Sequence, residues 1–337
     1  MSVTLKQIGE FGLIDRVKKS VTNPAKSVII SIGDDAAAIV WNAGKMLLLT
    51  SDAFVEGVHF NTAYATFWQI GWKAMAANLS DIAAMGGWPH GATVCLCASG
   101  DLAVQSVDEL YGGMEAIGSR FGCPIVGGDT LQSPQGEIFL SISMIGGVCR
   151  SRLKTRGEAK LGDLLCVTGD LGASKAGLVM LTEEGVRGEV SRPVHRHREP
   201  MPRLLEADVI SEFEGVHAMI DISDGLASEI GHICRESQVG ARISSEQIPV
   251  HHTTQEVADR HGSSYLDYAL YGGEDFELLF AAEPSDVEEI ISAVTDRTGT
   301  RVSPIGEITD AERGVCLVTP NGAMDMLPNS GYRHFSG

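Results

Sequence analysis

"AANLSDIAAMGG", residues 76–87, sets one carboxylate, Asp81, into a run of small and apolar side chains. Ala76, Ala77, Leu79, Ile82, Ala83, Ala84 and Met85 would make a helix that is apolar on nearly every side, and such a helix is buried. Extended upstream, "TFWQIGWKAMAANLSDIAAM" (66–85) reads as one long helix that the fold must enclose. An ionised side chain is costly in such a place unless something pairs with it. Asp81 therefore calls for a positive partner.

On either side of that helix the pattern is mixed. "SVIISIGDDAAAIV" and "GKMLLLTSDAF" read as strands by their apolar, partly β-branched runs. "GATVCLCAS" follows as a strand, and "SVDELYGGMEAIGSRFG" as a helix with Ser106 as N-cap and Glu109 completing a capping box. "PIVGGDT" and "IFLSISMIGGV" are two more strands. The pattern restarts with strand "LLCVTGD", helix "SKAGLVMLTEE", strand "HAMIDIS", helix "LASEIGHICRES" and strand "ARISSEQI", then strand "DFELLFAAE" and helix "DVEEIISAVTDRTG". The polar stretch "CRSRLKTRGEAKLGD" (149–163) marks a boundary, so the expectation is two α+β domains, residues 1–150 and 151–337. The order of strands and helices argues against a plain βαβ repeat with an all-parallel sheet.

The 337 residues carry 26 Lys and Arg against 44 Asp and Glu, a formal charge of −18. Such a surface repels nucleic acid and anionic lipid, so neither is expected as a partner. An anionic substrate would need bound cations to invert the local sign. The seven cysteines are scattered, with no CxxC pair, which fits reduced thiols and a cytoplasmic location rather than a disulfide framework or a zinc site. The N-terminus lacks the apolar core of a signal peptide, and the longest uncharged stretch is broken by Gly86, Gly87 and Pro89.

Seven aspartates occupy special places. Asp34 and Asp35 follow "IISIG", Asp52 follows "MLLLTS", Asp129 follows "PIVGG", and Asp221 and Asp224 bracket the end of "HAMIDIS". All but Asp81 lie at or just beyond a strand end. Each could cap a turn or helix instead, Asp224 above all. Caps do not explain Asp81, and they explain the doublet poorly. Carboxylates that converge repel strongly without cations. Hard oxygen ligands, with Ser and Thr hydroxyls beside them, suit Mg²⁺. Magnesium in turn points to a nucleotide, yet no GxxxxGK[ST] occurs, and "GDLGASKAG" (169–177) has neither its spacing nor its order.

Together "GDDAAAI", "TSDAFVEGVHF", "NLSDIAAMG", "PIVGGDT", "TRGEAKLGD", "IDISDGL", "YGGEDFELLF" and "GYRHF" resemble, in order and spacing, the thiamine-monophosphate kinases. These belong to the superfamily of aminoimidazole ribonucleotide synthetase and selenophosphate synthetase. The resemblance implies an N-terminal mixed-sheet domain that pairs through its sheet in a homodimer, and a C-terminal α/β sandwich domain. It implies transfer of the γ-phosphate of ATP to thiamine monophosphate, giving thiamine diphosphate. It places several Mg²⁺ ions on Asp34, Thr50, Ser51, Asp52, Asp81, Asp129, Asp221 and Asp224, with Asp35 adjacent. Of these, Asp34, Asp52, Asp81 and Asp129 would carry the catalysis. ATP would meet Tyr111, Gly128, Asp129, Arg156 and Ser223. Thiamine monophosphate would meet His59 and Glu274, with an aromatic wall from Tyr332 and Phe335.

A phosphate monoester is mostly deprotonated at neutral pH, so no general base is required. The difficulty is to bring two anions into line inside an acidic protein, which positioning and charge neutralisation accomplish. His59 could donate to the acceptor phosphate, and Glu274 could pair with the cationic thiamine, while Asp275 could only cap the turn. "HRHRE" (195–199) and "HH" (251–252) are weak metal motifs. Two rival readings stay open: another ATP-using member of the superfamily, or a non-catalytic relative that binds Mg²⁺ and nucleotide.

Overall fold

The helix around Asp81 begins at Thr66, whose hydroxyl accepts the Gln69 N–H at 3.2 Å while the Gln69 side chain accepts the Thr66 N–H at 3.1 Å. This reciprocal capping box satisfies two donors that a helix start otherwise leaves open. The computed structural model describes residues 5–20, 26–185, 191–328 and 331. Helix α1 (Leu5–Ser20) leads into strands β1 (Val28–Ile30), β2 (Ala37–Asn42) and β3 (Lys45–Val55). Then come α2 (Phe67–Ala84), β4 (Trp88–Ala98), α3 (Val104–Arg120), β5 (Ile125–Gln132) and β6 (Phe139–Cys149).

The second half runs β7 (Leu164–Thr168), α4 (Ala173–Thr182), α5 (Arg192–Arg198), α6 (Leu204–Ile210), β8 (Val216–Asp221) and α7 (Leu226–Ser237). It continues with β9 (Gly240–Ser244), α8 (His252–Arg260), α9 (Tyr265–Tyr271), β10 (Leu278–Ala282) and α10 (Val287–Thr298). Strands β11 (Val302–Thr309), β12 (Val315–Val318) and β13 (Met324–Met326) close it.

Each half builds one sheet. The first has the order β1-β2-β3-β6-β4-β5, antiparallel except for β4 with β5. The second has the order β13-β12-β9-β11-β7-β10-β8, antiparallel except for β12 with β9. These are two mixed α/β domains, as the sequence led one to expect.

Helix α2 lies between them. It packs on β3, β4 and β6 and on α3, and its other side meets α6 and β8 of the second half. Fourteen of its residues are buried, which is why the sequence is apolar all round. Glycines set how closely α3 approaches. A Cβ on Gly71 would sit 1.9 Å from the Leu110 carbonyl oxygen, and one on Gly113 1.8 Å from that of Trp68. The apolar cluster around α2 runs on without a break into Val216, Met219, Phe280 and helices α6 and α10. A second cluster, with Ile220, Leu279, Ala281 and helix α7, fills the opposite face of the second sheet. The second sheet is thus covered on both faces and the first on one.

The N-cap assigned to Ser106 is corrected. Helix α3 starts at Val104, its cap residue Ala103 has no side-chain cap bond, and Glu109 is engaged by Gln105 at 3.2 Å. Among the described residues no helix is long and apolar enough to cross a membrane.

Candidate active site

Three acids from separate elements converge. Asp35 follows β1, Asp81 sits in the last turns of α2, and Asp221 ends β8; one carboxylate oxygen from each lies within 4.8 Å of the others. At such spacing each pair of charges repels by roughly 3 kcal/mol at an effective dielectric of 20. Burial pushes the Asp81 carboxyl well above the usual range, and Asp52, Asp221 and Asp35 push it further. Burial and Asp35 do the same to Asp221. Asp52, two residues past Thr50 on β3, is pushed up to about 6 by burial and then by Asp35. Two hydroxyls hold the group: Thr50 donates to Asp81, and Ser80 donates to Asp221 at 2.6 Å. Hard oxygens, crowded and short of positive charge, fit a divalent cation of the Mg²⁺ kind.

The doublet divides its work differently from the sequence expectation. Asp35, not Asp34, joins Asp81 and Asp221. Asp34 turns to backbone donors, the Asp35 N–H at 3.0 Å and the Arg156 N–H at 3.3 Å, and burial followed by the Asp35 charge pushes it up to about 7. Arg156 spends its guanidinium on Asp35, at 2.5 and 3.2 Å. On β3 the alternation of a strand separates neighbours. Thr50 faces the cluster, whereas the Ser51 hydroxyl lies on the opposite face, 2.9 Å from that of Ser143.

Asp224 is half-buried and pushed up to about 7, by burial first and then by Glu10. It is not a helix cap. The cap residue of α7 is Gly225, with no side-chain cap bond, and the Asp224 N–H is taken by the buried carboxylate of Glu229 at 2.8 Å. Asp129 lies exposed on the edge strand β5, its carboxylate accepting the Thr130 N–H at 2.8 Å, and it is not among the three converging acids. Gly128 beside it has a packing reason to be glycine, since a Cβ there would meet the Val94 carbonyl oxygen at 1.9 Å. Tyr111 of α3 is half-buried, and burial, then Cys95, pushes its hydroxyl up. His59 accepts the Val55 N–H on Nδ1 at 3.0 Å and packs on Phe54, which leaves Nε2 to carry the proton of a neutral ring.

The segment "YGGEDFELLF" gives each acid a separate task. Glu274 and Phe276 adopt left-handed backbone, φ 65° and 51°, conformations costly for such residues and found where structure overdetermines them. The Glu274 N–H donates to the Ser223 carbonyl at 2.7 Å. Its carboxylate meets Lys73 at 2.5 Å and lies 3.6 Å from His197. Asp275 accepts the N–H groups of Gly172 and Ser174 at 2.6 and 3.2 Å, anchoring the start of α4. Glu277 is buried among Arg196, Arg203 and Thr168. "HRHRE" thus supplies Arg196 to an ion pair and a buried His197 to Ser174.

Lys73, Glu229 and the ion-pair role of Arg156 were missed in the sequence reading. Only Lys73 left a signal: it is the sole basic residue of α2 and is 4% exposed. Tyr332 and Phe335 lie outside the described residues.

Residues 33–148 match AIR synthase related protein, N-terminal domain, and residues 160–319 match AIR synthase related protein, C-terminal domain. A thiamine-monophosphate kinase of Synechococcus elongatus is 34% identical over 341 residues, covering 99% of this chain and 98% of the relative. One of Aquifex aeolicus is 37% identical over 278 residues, covering 82% and 86%. The solved structure "AaThiL complexed with AMPPCP and TMP" is similar with a TM-score of 0.84 at 33% identity, over 99% of both chains.

Proposed function

This chain belongs to the thiamine-monophosphate kinase family of AIR synthase related proteins, and from that premise we propose how its residues serve the family's reaction. The activity is phosphoryl transfer from ATP to thiamine monophosphate, giving thiamine diphosphate and ADP. The observation that carries the residue assignment is the convergence of Asp35, Asp81 and Asp221 from two domains onto one point.

Asp35, Asp81 and Asp221 would hold Mg²⁺, with Asp52 and Asp224 flanking them and Thr50 orienting Asp81. Bound there, the metal would neutralise phosphate charge and align the two reactants. The acceptor oxygen arrives deprotonated, so no side chain need remove a proton from it. His59 would donate from Nε2 to the acceptor phosphate. Arg156, steadied by Asp35, would offer its remaining donors to ATP beside Ser223, Tyr111, Gly128 and Asp129. Asp34 would orient the doublet through its two backbone bonds. Glu274, held in place by Lys73, would face the cationic rings of thiamine, with Tyr332 and Phe335 as their cover. We further propose a boundary at residues 150/151, a cytoplasmic location, which suits the free thiols, and a homodimer formed through the open face of the first sheet.

The test is product formation. Purified protein with ATP, Mg²⁺ and thiamine monophosphate is expected to release thiamine diphosphate and ADP in equal amounts, and EDTA is expected to stop it. Tight nucleotide binding without product would instead favour a non-catalytic relative.

A further inference from the structure

Away from the acidic cleft, the ends of β7 and β9, the start of β11 and the start of α8 border an open pocket of about 900 Å³. No residue assigned to the phosphoryl-transfer site lines it. Its charge runs against that of the chain: Arg192, Arg203 and Arg301 line it, against Asp170 and Glu246, in a protein of net charge −18. Two of these cations are fixed by partners. Arg192 grips Asp170 with two bonds at 2.8 and 2.5 Å, and Arg203 grips Glu277 at 2.7 and 2.5 Å. Among the described residues the guanidinium of Arg301 has no hydrogen-bond or ion-pair partner.

Two further groups in the lining ask for a ligand. Ser245 and Ser303 are 5% and 4% exposed, and their hydroxyls have no hydrogen-bond partner. Buried hydroxyls are nearly always paired, and each orphan needs an explanation. His251 and His252, their rings tilted by 37° with centroids 4.2 Å apart, add aromatic faces to the same wall.

We propose that this cavity is a second binding site for a small phosphate ester that carries a planar ring. Arg301 supplies the charge-assisted fork that suits phosphate oxygens. Rotation about χ1 turns the buried hydroxyls of Ser245 and Ser303 toward the same anion, and a histidine face packs on the ring. Two sources share this chemistry: the nucleotide released by the transfer reaction, and its heterocyclic diphosphate product.

The full-length protein is titrated calorimetrically in EDTA at low ionic strength, with ADP, thiamine diphosphate and inorganic pyrophosphate in separate runs. Without a divalent cation the acidic cleft repels phosphate, so binding there reports the basic cavity and not the transfer site. One site per chain is expected for ADP or for thiamine diphosphate, and whichever binds tighter identifies the source. Arg301→Glu is expected to weaken that binding by at least about tenfold, the scale of one charged hydrogen bond. Ser303→Ala, which removes a hydroxyl that bonds nothing in the protein, should weaken it too. Both variants should keep the wild-type kcat with Mg²⁺ and no added product. Absence of binding in EDTA, or equal affinity in Arg301→Glu, overturns the site. Pyrophosphate binding as tightly as either ring-bearing ligand overturns the role of the histidine wall.

Discussion

Asp81 stands where three like charges press on it and one hydroxyl supports it. Around it Asp52 is pushed up to about 6, and Asp34 and Asp224 to about 7. A carboxyl whose pKa is higher in the folded chain than in the unfolded one favours folding fully only below its unfolded value, near 4; that contribution is lost as pH rises through the folded value. Metal-free protein is therefore expected to lose thermal stability between pH 5 and 8, by several degrees. Saturating Mg²⁺ should flatten the decline, because the cation takes over the role of the lost protons. Melting curves in EDTA and in Mg²⁺ across that range check both statements, and a flat curve in EDTA would remove the idea of crowding. Asp81→Asn divides stability from function at one atom. It should lower turnover by at least about a hundredfold, since a charge that holds the reacting groups is gone. It should also raise the melting temperature of the metal-free protein at pH 8. A variant with normal turnover would remove Asp81 from the chemistry.

Helices α2 and α3 touch through backbone, and that closeness fixes where Asp81 sits relative to β3 and β8. At Gly113 a Cβ would overlap the Trp68 carbonyl, so the helices must part before alanine fits. Gly113→Ala should cost about 1–3 kcal/mol, the usual scale of overpacking, despite the better helix propensity of alanine. Gly112→Ala is the control: its Cβ would meet only the Trp68 ring at 3.6 Å, so propensity should leave it neutral or more stable by up to about 1 kcal/mol. Urea unfolding of the two variants separates packing from propensity. The apolar run of α2 was legible in the sequence because burial on all sides removes periodicity altogether. Helix α7 was legible too, in its full extent from Leu226 to Ser237, because one face is apolar at helical spacing. Helix α5, "RPVHRHR", was not: it is short, and its basic residues serve partners far away in sequence, such as Glu277. The same limit applies to the site. That acids gather beside strands can be read from one chain, but Asp52 and Asp129 lie within β3 and β5 and not at their ends. Which member of a doublet turns inward, or that Lys73 finds Glu274 some 200 positions on, depends on how two domains meet.

The two sheets differ in how they are covered, and the difference bears on the whole molecule. On β3 the even-numbered residues Met46, Leu48 and Thr50 point into the core, and the odd-numbered ones point away from the helices. The outward set is not what water selects. Leu49 and Ile145 are direct partners across β3 and β6, in the middle of the sheet, and stand 43% and 44% exposed. A half-covered antiparallel sheet ordinarily carries polar residues on its open face. Apolar pairs at its centre mark a contact surface. A second copy of the same sheet is the covering the resemblance led one to expect, and self-association through one patch gives a closed pair. The interface would stack apolar pairs at its centre, so a buried charge there has no partner and dissociation relieves it. Ile145→Arg is accordingly expected to convert a dimer into a monomer in sedimentation equilibrium, with far-UV circular dichroism unchanged because the side chain faces away from the core. Lys45→Glu, at the exposed start of β3, should leave the dimer intact. Monomeric wild-type protein at micromolar concentration, or a dimer indifferent to Ile145→Arg, would show that something other than a second copy covers this face.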